Sequence, residues 1–389
     1  MQTPRQLETR VAGSRTWTGF LCAVAVFAIL CATLFPFNPH PQNKVSWLPQ
    51  AGGLRFRWGG VVVSQRPLQL PDPGDNTCTV ELLIRPATIR FSSTILAFYV
   101  TGHRHPFEVS QWTDGLLLTH NPSIEHDPTH TIKIDVDHVF RAGKLVQITI
   151  SSGAGGTNVY VDGQPAGHFP RFRISRGDIA GEIILGTSLV TDVWPGELHG
   201  LAVYAKELTP AQALKHYMDW MDSSNLPDSE DVVSRYSFIE GAGSEVRNQV
   251  ASEPDLQIPK FFYVPHKPFL QTPVQEFELN WEYVGDVAQN IAGFVPLGLV
   301  VCSFFAWRNS RWQSVVYTTI ACGALSFVIE VSQYFIPQRG SGMTDIITNT
   351  LGAALGAILA ETRLIRGILE GLRVMPRTPV SLEEAGMRR

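Results

Sequence analysis

The chain of 389 residues has few cysteines, no block of like charge and, in its middle, no long amphipathic helix before Pro210. Each shortage excludes something. Cys22, Cys31, Cys302 and Cys322 fall in apolar windows and only Cys78 lies in the polar middle, so that region cannot close an internal disulfide. With 31 basic and 35 acidic residues and a net charge of −4, no basic face marks a nucleic-acid surface, and no nucleic-acid partner is expected. Charge is also unevenly spent. Three windows are almost free of it, while residues 40–280 are polar and rich in Gly and Pro. The length suits two or three domains.

The apolar windows come first. Arg5, Arg10 and Arg15 precede the run 17–35, long enough for a helix to cross a bilayer. A signal peptide is the rival reading, but no small-x-small cleavage site follows, so an uncleaved helix is expected. Further spans are read at 287–307, 312–335 and 343–360, the last with a polar start. Arg308 and Arg311 sit between the second and third spans, and Arg363, Arg366 and Arg373 follow the fourth. The positive-inside rule then puts both termini and the Arg308 loop in the cytoplasm and the polar middle outside. Arg339 alone falls on the outer side.

The middle region shows short β-rich runs at 54–56, 61–63, 79–84, 94–99, 116–118, 131–136, 145–150, 158–161 and 182–185. Turn residues separate them, as at Asp72 to Asp75, Gly153 to Gly156 and Asp162-Gly163. Many short strands at this spacing predict an all-β sandwich or barrel. One helix is predicted over 210–222, with Thr209 as N-cap and Pro210 at its first position. A last strand is read at 234–239.

Polar residues recur in the apolar windows at helical spacing. Thr319, Gly323, Ser326, Glu330 and Gln333 share one face of the third span; Asp345, Asn349, Gly352 and Gly356 share one of the fourth; Asp286, Asn290 and Gly293 start the second. Small residues let helices approach, and polar ones bond across the interface or line a site. Arg339, in the turn between the third and fourth spans, is the expected countercharge for Glu330 or Asp345.

Two resemblances follow from particular residues. The runs Thr79 to Pro86, Asn158 to Gly163 and Trp194 to Tyr204, with Leu208-Thr209 and the helix after them, resemble the concanavalin A-like, laminin-G-type lectin and glucanase fold. Tyr236 to Gly243 is similar to a segment that normally opens such a domain, so the strand order is permuted or a second copy is incomplete. Asp286 and Asn290 before Phe294-Val295-Pro296-Leu297-Gly298, then Glu330 to Arg339, then Asp345 to Gly352 with Gly356, resemble the VanZ-like family. That family implies a cell-envelope membrane protein, with one namesake tied to glycopeptide antibiotic tolerance. Its first helix, ending in a Pro-Phe-like turn, suits 17–39, and the β domain then looks inserted between the first two helices.

The expected architecture is a multi-domain α and β protein: a four-helix transmembrane bundle plus an extracytoplasmic all-β jelly-roll sandwich. Its parts are a cytoplasmic start (1–16), a first span (17–36), the sandwich (50–259), a linker (260–284), helices two to four (285–362) and a cytoplasmic tail (363–389). The expected location is the inner membrane. Candidate binding residues are Asp286, Asn290, Glu330, Gln333, Arg339, Asp345 and Asn349, with Glu330 and Asp345 as candidates for a base. These residues are glue between helices, or a pocket for an anionic lipid-linked headgroup gripped by Arg339, or a catalytic site.

A glucanase of this fold would carry a Glu-x-Asp-x-x-Glu run, and none is present. The nearest, Glu276, Glu278 and Glu282 with Asn280 between, reads as a solvated juxtamembrane segment. His103, His105, His120, His126, His130 and His138 with Asp127, Asp135 and Asp137 are too irregularly spaced for zinc, so no metal or cofactor is expected. Trp112, Trp194 and Tyr204 are candidates for stacking on sugars, against burial in the sandwich. The expected partners are the lipid bilayer, an envelope glycan or lipid-linked headgroup, and a homo-oligomer or protein partner. The plainest alternative is an anchor for an adhesion domain.

Overall fold

The computed structural model describes residues 4–49, 52–70, 76–100, 107–120, 132–188, 193–222, 231–250, 254–277 and 281–377. The turn at 72–75, His103, His105, His126, His130, Asp127, Glu278, Asn280 and the side chain of Glu282 lie outside the described residues. The chain divides into two compact units, one of residues 1–39 with 268–389 and one of residues 40–267.

The first unit opens with α1 (Pro4–Leu34). The second is a sandwich of two antiparallel sheets. Its strands are β1 (Val45–Trp47), β2 (Leu54–Phe56), β3 (Val62–Ser64), β4 (Cys78–Pro86), β5 (Ser92–Tyr99), β6 (Phe107–Trp112), β7 (Gly115–His120) and β8 (Ile132–Val136). There follow β9 (Val146–Gly153), β10 (Gly156–Val161), β11 (Gln164–Phe169), the one-turn α2 (Arg176–Ile179), β12 (Glu182–Leu185) and β13 (Gly196–Tyr204). Then come α3 (Pro210–Met221), β14 (Val232–Tyr236), β15 (Glu245–Val246) and β16 (Leu256–Gln257). One sheet runs β1-β2-β13-β4-β9-β10-β11 with β14 beside β13, and the other runs β15-β16-β3-β12-β5-β6-β7-β8. The late strands β14, β15 and β16 complete these same two sheets. Tyr236 and Phe238 are core residues, so this segment is part of one sandwich and not a second copy.

Alternation explains the layers. Along β4, Cys78, Val80, Leu82 and Ile84 enter the core between the sheets, while Thr79, Glu81, Leu83 and Arg85 face the other way. That second face is covered around Glu81 and Leu83 by α3, whose start is the predicted one. Gln212 N–H donates to the Thr209 hydroxyl at 3.4 Å, and Thr209 N–H donates back to Gln212 Oε1 at 2.9 Å. Beneath α3 lies Glu81, fully buried. Its Oε2 accepts from Tyr204 Oη (3.0 Å) and Trp220 Nε1 (2.9 Å), and its Oε1 from His216 Nδ1 (3.0 Å) and the Thr149 hydroxyl (3.3 Å). Gly200 on β13 has no side chain where the Trp220 ring lies: a Cβ there would come within 2.5 Å of it.

The first unit continues with α4 (Pro273–Glu276), α5 (Trp281–Phe305), α6 (Arg311–Tyr334), α7 (Met343–Ala360) and α8 (Arg363–Gly371). Segments of α1, α5, α6 and α7 are long and apolar enough to cross a membrane. Gly298 faces Ala353, Gly352 faces Ile291 and Gly356 faces Val295, and a Cβ at any of the three would strike backbone of the opposite helix. This glycine seam brings α5 and α7 together as the sequence spacing of Gly352 and Gly356 leads one to expect. Gly293 is different. A Cβ there would meet open space, so it is no part of the seam.

Candidate functional site

The site grows out of helix ends. The first amides of a helix and its last carbonyls have no partner within the helix. Gly342, the N-cap of α7, has no side chain to supply one. Three groups from elsewhere take these amides. Glu330 Oε2 accepts from Gly342 N–H at 2.9 Å, the Gln271 carbonyl from Met343 N–H at 2.8 Å, and Glu276 Oε2 from Thr344 N–H at 3.0 Å. Two carboxylates at a helix N-terminus also suit its dipole. Glycine at 342 also makes room for the Glu276 carboxylate, which a Cβ there would push aside.

The C-terminal end of α1 is closed in the same way. Gln333 Nε2 donates to the Thr33 carbonyl at 2.9 Å and Arg339 Nη2 to the Ala32 carbonyl at 3.0 Å. This corrects the pairing expected for Arg339. Among the described residues it forms no ion pair with Glu330 or Asp345, since the orphan carbonyls of α1 take its guanidinium.

Between the helices, Asn290 Nδ2 donates to Asp345 Oδ1 at 2.7 Å and Asn349 Nδ2 to the Ser326 hydroxyl at 3.0 Å. Asp286, one turn before Asn290, is exposed. The predicted residues therefore gather at one end of the bundle, drawn from α5, α6, α7 and the turn before α7. Glu276 joins them, although its sequence context reads as a solvated segment. Only the fold brings α4 against the start of α7. Three polar atoms here are buried without a protein partner: Arg339 Nε, Thr344 Oγ1 and Asn349 Oδ1. Buried polar atoms are rarely left so.

In the sandwich the stacking candidates separate. Trp194 is 1% exposed and donates its Nε1 to Gln111 Oε1 at 2.9 Å, and Tyr204 is buried against Glu81. Both serve the core. Trp112 is 57% exposed. Its cross-strand partner is Ser92, next to Phe91, and the Phe91 ring meets Trp58 edge-on at 5.4 Å. Trp58 and Phe91, both exposed, form a second exposed aromatic feature beside the strands. No local signal marks either residue, because the pair is assembled from segments far apart in the sequence.

Charged groups elsewhere in the sandwich are largely spoken for. Arg55 on β2, Glu197 on β13 and Arg85 on β4 stand in register, and Glu197 takes Arg55 Nη2 at 2.8 Å and Arg85 Nη1 at 2.7 Å. Burial alone would raise the Glu197 carboxyl, but the Arg55 hydrogen bond and the Arg85 charge outweigh it and hold it below the usual range. Cys78 is pushed up to about 12 by burial and by the Asp178 charge, so it remains an unreactive thiol. His120 is buried with Nδ1 3.6 Å from Asp178, and His138 pairs with Asp114 at 2.6 Å. Among the described residues no three His, Cys, Asp or Glu side chains gather as a metal site would need.

Family comparison finds one family model in each part of the chain, with boundaries that differ from those of the two compact units. Residues 235–366 match VanZ/LLP1, beginning in the last strands of the sandwich, and residues 59–213 match the concanavalin A-like lectin/glucanases superfamily. A VanZ-like region and a concanavalin A-like domain share this chain. With four helices able to cross a bilayer and a VanZ-like region, it is a membrane protein. Solved structures resemble the sandwich at low identity. A putative carbohydrate-binding protein from Bacteroides ovatus is 13% identical, with 56% of this chain and 60% of that one covered and a TM-score of 0.39. The heptameric SAP-like pentraxin of Limulus polyphemus is 16% identical, covering 57% and 97%, with a TM-score of 0.35. The botulinum neurotoxin type G receptor-binding domain is 12% identical, covering 43% and 46%, with a TM-score of 0.29. A search of curated proteins found no match.

Proposed function

We propose that this is a cell-envelope protein of the inner membrane, with both termini cytoplasmic, whose VanZ-like bundle holds the polar headgroup of an envelope lipid. The concanavalin A-like domain outside the membrane then engages a glycan. The observation that carries this reading is the polar end of the bundle, where Arg339 Nε, Thr344 Oγ1 and Asn349 Oδ1 lack protein partners beside Glu330 and Asp345. A guanidinium N–H suits a phosphate oxygen, and the surrounding carboxylates suit hydroxyl donors. A phosphate-bearing, hydroxyl-rich headgroup meets both. The exposed Trp58, Phe91 and Trp112 supply apolar faces on which a sugar ring can stack.

Catalysis through Glu330 or Asp345 is the weaker reading, since Glu330 is committed to Gly342 N–H and Asp345 to Asn290. The test is binding of a fluorescent phosphate-bearing saccharide lipid to the full-length protein in detergent. Arg339→Gln should weaken binding about tenfold or more, the worth of one charge-assisted hydrogen bond, with the melting temperature little changed. Equal binding by both proteins would reduce these residues to glue between helices. The glycan half is read on an array with the same full-length protein, where Trp112→Ala should lose about tenfold in any specific signal.

A further inference from the structure

The part of the bundle that this function leaves unused is α8. Its residues divide cleanly around the helix axis. Leu364, Ile365, Ile368 and Leu369, continued by the C-cap Leu372, fill one arc, and Arg363, Arg366, Gly367, Glu370 and Gly371 fill the other. The inner part of the apolar arc is used, because Leu369 packs on Cys302, Val315, Ala357 and Ala360. The outer part is not. Leu364, Ile368 and Leu372 are 75%, 50% and 64% exposed.

The helix is held in place rather than trailing. Arg366 is paired with Glu361 and Glu370, and the Val374 carbonyl accepts from the Thr18 hydroxyl at 2.8 Å and from Trp307 Nε1 at 3.3 Å. Two observations fix the level at which α8 lies. Only Glu361 and Thr362 separate it from α7, whose exposed Leu355, Ile358 and Leu359 lead directly to it. Trp17, Trp307 and Trp312 sit at the same end of the bundle, Trp17 beside the Thr18 that bonds Val374. Tryptophan favours the boundary between lipid and water. The same end is basic: Arg311 lies 3.6 Å from Glu361, and Arg308, Arg363 and Arg373 are exposed.

We propose that α8 is an interfacial anchor. It lies in the plane of the leaflet with Leu364, Ile368 and Leu372 sunk into the headgroup–acyl boundary, while Arg363 and Arg373 meet anionic lipid headgroups. Short helices with this division of residues bind membrane surfaces through buried apolar area and attraction to anionic lipid. The occupant of the exposed face is therefore the bilayer itself. The proposal rests on reading α1, α5, α6 and α7 as spans, and the test separates the two.

Full-length protein with its native cysteines replaced, carrying one nitroxide-labelled cysteine at 364, 367, 368, 371 or 372, is reconstituted in phosphatidylcholine discs with and without phosphatidylglycerol. A label at Ile358→Cys on α7 serves as the control for the spans. Labels at 364, 368 and 372 should collide with oxygen in preference to a water-soluble nickel chelate, and labels at 367 and 371 should do the reverse. Phosphatidylglycerol should deepen the contrast, and Arg363→Gln with Arg373→Gln should remove that gain. If all five positions favour nickel while 358 favours oxygen, the anchor is wrong and the spans stand. If 358 also favours nickel, the spans themselves are wrong. Spin–spin broadening at 368 that vanishes on dilution with unlabelled protein would assign the face to a second copy and overturn the proposal.

Discussion

A single buried carboxylate shows what the amino-acid sequence conceals at the residue scale. Glu81 sits in Thr79-Val80-Glu81-Leu82-Leu83, a run that reads simply as a strand, and nothing local says that its side chain receives four donors. Three of them come from residues more than a hundred positions away. Breaking such a cluster leaves donors buried with no acceptor. Glu81→Ala should therefore cost about 3 kcal/mol or more, read from urea unfolding of the detergent-solubilised protein by tryptophan fluorescence. A loss below about 1 kcal/mol would mean that water replaces the carboxylate at no great cost. The membrane residues were more legible. Glu330, Asp345, Asn290 and Asn349 stand out because polar groups in apolar windows are few, and they do converge. Their partners were not legible: Arg339 and Gln333 turn to carbonyls of α1, which belong to the far end of the sequence.

At the scale of elements, periodicity located helices and strands well and faces less well. The small-residue pattern on α7 points to a close helix contact, and Gly352 and Gly356 make it. The same pattern on α5 includes Gly293, which touches nothing, since spacing gives a face but not its neighbour. The two glycines give a matched experiment. Gly352→Ala would drive a methyl into the Ile291 backbone and should destabilise the bundle by about 1–3 kcal/mol, seen as a lower thermal midpoint in detergent. Gly293→Ala meets no obstacle and should be neutral or slightly stabilising, because alanine is the better helix former by up to about 1 kcal/mol. Equal effects at the two sites would remove the seam as the reason for the approach. Strands were found mostly as β-branched runs. β1, β6, β11, β13, β15 and β16 are missing from those runs: Ser46, the polar half of β6, Pro165-Ala166-Gly167 and the Gly196 and Gly200 of β13 carry little β-forming character, and β15 and β16 are two residues each.

For the molecule as a whole, the sandwich should be sensitive to acid. In the folded domain Glu197 lies below the ordinary carboxylate range because its two arginines outweigh burial. Asp178 does so because the nearby His120 and its bonds to Ser175 outweigh burial. Groups with depressed values stabilise fully above the ordinary carboxyl pKa of about 4 and lose that contribution as pH falls through the folded value. His199, lowered mainly by burial, acts in the same direction from a higher window, below about 6.5, where the unfolded chain takes up the proton more readily. His138, raised by its hydrogen bond to Asp114, opposes His199 in the upper window but is fully exposed and screened, so stability should decline in two stages between neutral pH and pH of about 3. Glu197→Gln should flatten the lower stage by less than about 1 kcal/mol, since Arg55 and Arg85 are well exposed to solvent. A profile that rises on acidification would contradict these assignments.

One further feature of the sandwich bears on how such a chain arose. Its incoming and outgoing segments are stitched together: Asn43 N–H donates to the Lys260 carbonyl, Asn43 Nδ2 to Pro259, and Phe262 N–H to Pro41. A domain whose two ends leave side by side asks little of the loop that receives it. Recombination can drop a coding segment of this kind into the gap between two helices in one event and leave the helices on either side intact.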